Sequence, residues 1–450
     1  MGDALTDTIA AIATPPGRGA IAIVRVSGAA VRELAAKMVP DVELKPRYAH
    51  YAAILDEAHR PIDRGIVIFS PAPHSYTGED TLELHVHGSP VVAAEVVRAL
   101  LAHGARLAEP GEFTRRAFMN GKMDLHAASS VADLIDAETR SAARSALANL
   151  GGGLANEVRA LRSRLTKIVE DCSGAIDFPE EVPEPDRGAI DAELHAIVTR
   201  LEQLQHDGEV GRLVREGVTV AIVGPPNAGK SSLLNALLGE ERALVSEIAG
   251  TTRDTIEESI AIDGVRVRLV DTAGIRRHAD RLEAAGIERT RRALTSARIA
   301  LLVLDGSQTL DPEARALLTA TADRERVVFF NKADLGEDGA HEANLGEAIV
   351  GSVREPGTLR AIRSAIARVG WGGEVPDLER PHLASLFEFD AVNAAIGALT
   401  EARATLRRGD ATDWIVGDLQ QAYAVLGHVS GDFAAEEVLT GVFARFCIGK

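Results

Sequence analysis

The segment VTVAIVGPPNAGKSSLLNALLG, residues 218–239, puts a short apolar run directly before Gly224-x-x-x-x-Gly229-Lys230-Ser231 and a helical run after it. Glycines at these places let backbone N–H groups turn inward around phosphate oxygens. A lysine there reaches the β and γ oxygens, and the serine hydroxyl ligates Mg2+. A second apolar run, VVFF, leads into Asn331-Lys332-x-Asp334. A carboxylate at 334 can accept two parallel N–H bonds from guanine, which adenine cannot supply, and a site built on such a pair rejects the base that lacks it. VRLVDTAG (267–274) directs Asp271 toward Mg2+ and the Gly274 amide toward a γ-phosphate, and SEIAGTTRD (246–254) offers Thr252 as a second Mg2+ ligand. These four elements, in this order, imply a GTP hydrolase.

Two departures bear on mechanism. Ile275 follows Asp-Thr-Ala-Gly where many small GTPases carry a water-orienting glutamine. An isoleucine cannot orient water, which leaves Arg276 and Glu283 downstream as candidates, although Glu283 in LEAAGIER by itself reads more readily as a solvated helix residue. The second departure is Asn227 inside the phosphate loop. An arginine finger contributes about 10³–10⁵ in rate; a cation bound by the Asn227 side-chain oxygen could stabilise the same developing charge.

A chain of 450 residues, 46% hydrophobic and 26% charged, implies several ordinary globular domains. No apolar run reaches a membrane-spanning length, no secretion signal opens the chain, and two cysteines make no disulfide framework, so a cytoplasmic protein with no membrane association is expected. The net charge of −17 argues against strong non-specific nucleic-acid binding and points to a local basic patch or a partner protein instead. TRRAFMNGK (114–122) is the best such patch, although a charge run is usually a solvated face.

Residues 7–118 read as mixed α/β. From about 130 the period becomes helical: Leu154, Val158, Leu161, Leu165, Ile168 and Cys172 form one stripe, and Ile190, Leu194, Ile197, Leu201 and Leu204 another, either side of the breaker FPEEVPEPDRG. Residues 217–370 alternate strand and helix in a parallel doubly wound pattern. Helical period returns after 380, with Val392, Ile396, Leu399 and Leu406, then Leu419, Tyr423 and Leu426, then Val438, Val442 and Phe446. The expected fold class is therefore α/β and all-α multidomain: an N-terminal α/β domain (1–120), a helical domain in two parts (121–216 and 373–450), and a Ras-like P-loop GTPase domain (217–372) inserted between them.

Some residues are chemically ambiguous. Arg25 interrupts IAIVRV and Glu83 sits in LEL; charges in such strands need partners, and pairing with each other satisfies both. Cys447 stands four places from the last residue, but Gly449 and Lys450 do not make a prenylation box. By itself it reads as an incidental thiol at a helix end. His85 and His87 in HVHG have no evident third metal ligand nearby. Ser352-Val353-Arg354 stands where a base-cradling loop normally carries Ser-Ala-Lys or Ser-Ala-Arg, and the larger Val353 could alter the approach to guanine.

Together with the nucleotide motifs, DTIAAIATPPGRGAIAIVRVSG, SYTGEDTLELHVHG, PGEFTRRAFMNGKMDL and the terminal FCIGK closely resemble the MnmE (TrmE) family of tRNA-modification GTPases over essentially the whole chain. The resemblance implies a homodimer formed through an N-terminal domain that binds a one-carbon tetrahydrofolate (5-formyl or methylene). It also implies potassium-stimulated GTP hydrolysis, and an FAD-dependent partner (MnmG, also called GidA) in a heterotetramer or larger assembly. The implied reaction adds an aminomethyl or carboxymethylaminomethyl group to carbon 5 of the wobble uridine of certain tRNAs. Carried onto this sequence, the folate contacts fall on Arg25, Glu83, Lys122 and Lys450; Mg2+ on Ser231 and Thr252; K+ on Asn227, Ser246, Ile248 and Thr251. GTP contacts fall on Asn227, Ala228, Gly229, Lys230, Ser231 and Ser232, on Ser246, Glu247, Ile248, Ala249, Gly250, Thr251 and Thr252, on Asp271, Thr272, Ala273 and Gly274, and on Asn331, Lys332, Ala333 and Asp334. Glu283, Arg276 and Cys447 take the catalytic positions, Cys447 as a nucleophile or proton donor delivered by the tail. A GTP switch in ribosome assembly, and a folate-dependent one-carbon transferase with a regulatory G domain, are the alternatives. The first is disfavoured by a helical C-terminus lacking a Gly-x-x-Gly loop between strands.

Overall fold

The computed structural model describes residues 7–239, 258–271, 292–336, 345, 347–373, 381–431 and 436–450, with backbone alone for 271 and 436–438. The N-terminal part runs β1 (Ile9–Ile12), β2 (Ile21–Ser27), α1 (Val31–Met38), β3 (His50–Leu55), β4 (Pro61–Ser70), β5 (Thr81–His87), α2 (Pro90–Ala102), β6 (Arg106–Leu107) and α3 (Glu112–Met119). Its six strands lie in the order β3-β4-β5-β2-β1-β6, antiparallel except for β6, which pairs parallel with β1. Alternation in β2 turns Ala22, Val24 and Val26 inward, where Leu34 and Met38 of α1 and Val96 and Leu100 of α2 cover them. The sequence pattern does not announce β3. Its inward residues are Ala52 and Ile54, and alanine is a weak strand former.

Next come α4 (Leu125–Ile135), α5 (Arg140–Leu150), α6 (Gly153–Asp177) and α7 (Arg187–Glu216). All six residues of the first helical stripe are buried along α6, and all five of the second along α7. Cys172 is fully buried in that stripe, in keeping with a packing role.

The central segment runs β7 (Val218–Val223), α8 (Lys230–Gly239), β8 (Glu258–Ile262), β9 (Val265–Asp271), β10 (Ile299–Asp305), α9 (Pro312–Ala320), β11 (Arg326–Asn331), β12 (Ile349–Val350) and α10 (Pro356–Trp371). Strand order is β12-β11-β10-β7-β9-β8. The pattern is parallel as expected except at β8, which turns back antiparallel on β9 through Asp263 and Gly264. In β10, Ile299–Leu304 are all buried, as a strand covered on both faces requires.

The chain ends in α11 (Leu386–Arg408), α12 (Thr412–Val429) and α13 (Glu436–Phe443). The inward face of α12 carries Ile415, Leu419, Ala422 and Leu426. Tyr423, expected in that stripe, is 37% exposed; its ring lies 4.1 Å under the Arg162 guanidinium, which also donates to the Tyr423 carbonyl (3.1 Å) and to Ser430 Oγ (3.0 Å). Tyrosine gains from such an edge position because its polar tip stays wet.

Two compact units result. One comprises Met1–Ile135, Asn149–Gln203 and Ala384–Lys450; the other, Asp136–Ala148 and Leu204–Leu383. Within the first, Glu388 closes a capping box with Ser385 at the start of α11 and accepts His126 Nδ1 at 2.7 Å. Within the second, Ala142 joins the sheet's core, Glu138 pairs with Arg266 at 3.0 Å, and buried Ser145 bonds His382 Nε2 at 2.9 Å. The His382 ring lies flat against Gly211 of α7, where an added Cβ would stand 2.0 Å from His382 Cδ2. Alanine normally improves a helix interior over glycine by about 1 kcal/mol. Here the pinned ring reverses the sign: Gly211→Ala should destabilise by about 1–3 kcal/mol, read as a lower midpoint in thermal unfolding.

Candidate functional sites

The turn from β7 into α8 carries the phosphate loop. Asn227 takes a left-handed φ of 62° with an exposed side chain, a conformation asparagine tolerates better than most residues. The Lys230 ammonium donates to the carbonyls of Gly224 (2.7 Å) and Pro225 (2.6 Å), across the mouth of the loop. Ser231 and Ser232 are exposed in the first turn of α8, where unbonded N–H groups and the helix dipole favour an anion. Lys230 and the first turn of α8 are therefore groups that suit a phosphate, and the Ser231 hydroxyl is one oxygen that suits Mg2+. Asp271 ends β9 opposite Ile222 in the ladder. Its side chain, and Ser246, Glu247, Ile248, Ala249, Gly250, Thr251, Thr252, Thr272, Ala273, Gly274, Arg276 and Glu283, lie outside the described residues.

The base loop leaves β11 at Asn331. This buried side chain donates to the Ala228 carbonyl (2.8 Å) and accepts from Val353 N (3.1 Å), so one amide joins the phosphate loop, the Asn331–Asp334 segment and the 352–354 loop. The Val353 side chain packs against the sheet's core while its amide donates to Asn331. Ala333 N donates to Gly351 O (3.1 Å), and the carboxylate of Asp334 faces Arg354 at 3.8 Å.

A second cluster forms in the other unit. Arg25 and Glu83 are register partners on β2 and β5, joined by Arg25 Nε to Oε1 at 3.0 Å and Nη2 to Oε1 at 2.9 Å. Oε2 meets His85 Nε2 at 3.3 Å. The Tyr76 and Phe113 rings lie 5.6 and 5.8 Å from the Arg25 guanidinium carbon. Into this cluster comes the tail after α13. Phe443 and Phe446 anchor it against Ala128 and Ala132, Arg445 pairs with Asp133 (2.9 Å), and Ile448 bridges to Pro110. Gly449 has φ 98°, and a Cβ there would stand 2.5 Å from the Ile12 carbonyl, so only glycine fits this close approach. The Gly449 carbonyl accepts from Arg25 at 3.5 Å, and the Lys450 carbonyl accepts from Phe113 N at 3.1 Å. Burial, with the nearby Arg25 charge, holds the Lys450 amine below its ordinary pKa. Cys447 is exposed.

Arg25, Glu83 and Lys450 are thus brought together. The Lys122 ammonium donates to the Pro73 carbonyl (3.0 Å), on the loop that carries Tyr76. Sequence reasoning missed Tyr76 and Phe113, and no periodicity could find them, because each reaches Arg25 from a different element. One surface reading changes. Arg116 of the basic segment is 1% exposed and held by Asp7 (2.6 Å), Glu112 (2.9 Å) and Glu79 (3.2 Å), so it is an internal counter-charge and cannot belong to a surface patch. His87 pairs with Asp63 at 2.9 Å and His85 with Glu83 at 3.3 Å, two separate carboxylates.

Residues 8–122 match the family model described as the GTP-binding protein TrmE N-terminus, and residues 125–447 the one described as the MnmE helical domain. The chain belongs to the MnmE (TrmE) family of tRNA modification GTPases. Among similar relatives named tRNA modification GTPase MnmE, the protein of Laribacter hongkongensis is 42% identical over 99% of both chains. That of Aquifex aeolicus is 40% identical over 99% of this chain and 100% of its own. The TrmE match takes in Arg25, Glu83 and Lys122, and the helical match runs through the tail to Cys447.

The Glu83 carboxyl shows what the Arg25 pairing does. Burial pushes its pKa up, but Arg25, with His85, more than offsets this and holds it below its ordinary value. A lowered folded pKa contributes stability that is fully present above the unfolded value and lost as pH falls through the folded one. Arg25→Met removes the main opposing charge and leaves only His85 against burial. The Glu83 titration should then move up, and the unfolding midpoint should fall most near neutral pH, with the gap from the wild type narrowing as pH falls through the Glu83 titration, measurable by carboxyl NMR and by a pH series of unfolding midpoints.

Proposed function

We propose that this chain is the potassium-stimulated GTP hydrolase of a tRNA-modifying complex. With the FAD-dependent MnmG (GidA) protein it adds an aminomethyl or carboxymethylaminomethyl group to carbon 5 of the wobble uridine of certain tRNAs. The observation that carries this reading is the tail: residues 443–450 lie on the N-terminal sheet so that Lys450 joins Arg25 and Glu83, with exposed Cys447 three residues before it. Tetrahydrofolate would supply the one-carbon unit. The residues present fit it: Glu83 Oε2, which meets His85, keeps a second lone-pair direction for a pterin N–H, the Tyr76 and Phe113 rings suit a flat heterocycle, and cations suit an acidic tail. Lys122 would serve that tail from the adjoining loop. Cys447 would act at the uridine as nucleophile or proton donor.

In the G domain, Lys230 and the first turn of α8 would hold the phosphates, Ser231 and Thr252 the Mg2+, and Asp334 the guanine. Asn227, Ser246, Ile248 and Thr251 would hold K+ beside the γ-phosphate, replacing an arginine finger. Glu283, with Arg276 nearby, would orient the attacking water. The boundaries 1–120, 121–216, 217–372 and 373–450 divide these tasks among a folate-binding, dimer-forming domain, a two-part helical domain and the inserted GTPase. A cytoplasmic location follows from the tRNA substrate.

Nucleoside mass spectrometry of bulk tRNA tests the reading. Cells lacking the chain should lose the aminomethyl-type wobble uridines and regain them with a rescue copy; their persistence would favour the ribosome-assembly alternative. Asp334→Asn exchanges an acceptor for a donor, so GTP should bind about 10- to 100-fold more weakly while xanthosine triphosphate gains, as competition binding would show. Replacing K+ by Na+ should slow GTP turnover, and Mg2+ chelation should stop it.

A further inference from the structure

Asp305, the last residue of β10, has no part in the scheme above. It stands beside Asn331 in the parallel β10–β11 ladder, and Gly306 N donates to the Asn331 carbonyl at 2.7 Å, which locks the two strand ends. Both carboxylate oxygens are committed. Oδ2 accepts the Lys332 ammonium at 2.6 Å; Oδ1 accepts Ser307 N at 3.0 Å and Ser307 Oγ at 2.6 Å. Burial would raise the Asp305 pKa, but Lys332 and Ser307 together hold it below its ordinary value, so the carboxylate stays charged at neutral pH. Lys332 has a left-handed φ of 67°, so its backbone also fixes the direction in which the side chain leaves the strand.

An ion pair this exposed, with side chains 30% and 26% accessible, adds little to fold stability. Its effect is conformational. A lysine stem is among the costliest side chains to immobilise, and a binding site that needs it ordered gains when the fold has ordered it beforehand. Anchoring the ammonium on Asp305 also fixes where the charge of Lys332 sits, two residues before Asp334.

We propose that Asp305, oriented by Ser307, is a positioning residue for base recognition: it fixes Lys332 so that the lysine stem covers one face of the base bound at Asp334. This rests on the reading that Asn331–Asp334 holds guanine. The function assigned is with the ring face, whereas Asp334 reads the ring edge, and the two can be separated. GDP and inosine diphosphate share the ring face, but inosine lacks the amino group that Asp334 reads.

The test is equilibrium binding of GDP, inosine diphosphate and ADP to the full chain. Asp305→Asn should weaken GDP and inosine diphosphate by about the same factor, on the order of tenfold, as expected when a pre-ordered side chain is released. In GTP turnover the loss should fall on KM more than on kcat. Ser307→Ala is the milder variant and should give about a threefold loss in the same sense, which keeps the test open if Asp305→Asn folds poorly. Because Asp305 acts through Lys332, the Lys332→Ala/Asp305→Asn double variant should bind no more weakly than Lys332→Ala. The proposal is overturned if both single variants hold GDP within twofold of the wild type, or if the losses multiply in the double variant. Should the wild type bind ADP as well as GDP, the guanine reading falls and the proposal falls with it.

Discussion

A guanidinium placed in the middle of the apolar strand IAIVRVS constrains everything around it. Arg25 cannot be desolvated without partners, because an uncompensated buried charge costs far more than one hydrogen bond returns. Glu83 meets it in register from β5, the Tyr76 and Phe113 rings line it, and the Gly449 carbonyl closes over it. Those partners come from β5, the 71–80 loop, α3 and the tail. The N-terminal sheet and the tail therefore meet at this side chain, beside the tail's own anchors at Phe443, Phe446 and Arg445. A folded state that must satisfy this charge also assembles a cluster of alternating charge beside an exposed thiol, which is why the structural and chemical roles of Arg25 cannot be separated by inspection.

The same economy governs the nucleotide loops. Asn331 uses both ends of its amide, donating to Ala228 and accepting from Val353, so that three loops from distant parts of the sequence share one reference point. The parallel ladder then adds Asp305 beside it and brings Lys332 under control. Val353 joins this arrangement through its backbone amide, and its side chain goes to the core.

The net charge of −17 leaves nucleic-acid contact to local features. Arg116, at the centre of the most basic segment, is consumed internally by Asp7, Glu79 and Glu112. Glu79 in turn accepts from Ser27 Oγ at 2.7 Å, which ties the loop carrying Tyr76 to the end of β2. Of the three cations in this segment, Arg116 is buried while Arg115 and Lys122 remain exposed.

What could be read from the residues alone was whatever depends on near neighbours. The phosphate loop is a local turn, so its glycines and lysine identify it. The stripes on α6 and α7 follow from helical geometry and came out buried residue for residue. The charges at Arg25 and Glu83 announce a need for partners, because desolvation is a property of the strand they sit in. The Asp263-Gly264 pair between alternating runs is a local hairpin signal for β8 and β9. Long-range pairing was another matter. Nothing local reports that Tyr423 slips to the edge of its stripe or that Arg116 points inward, since each depends on what arrives from elsewhere in the chain. The family resemblance named Lys122 with Arg25, and the fold placed it on the Pro73 carbonyl. Composition and spacing determined which groups can do chemistry. Only tertiary structure decided which of them share a site, because distances between residues 25, 83 and 450, or 305 and 332, are set by how sheets and helices pack and not by how the sequence is spaced.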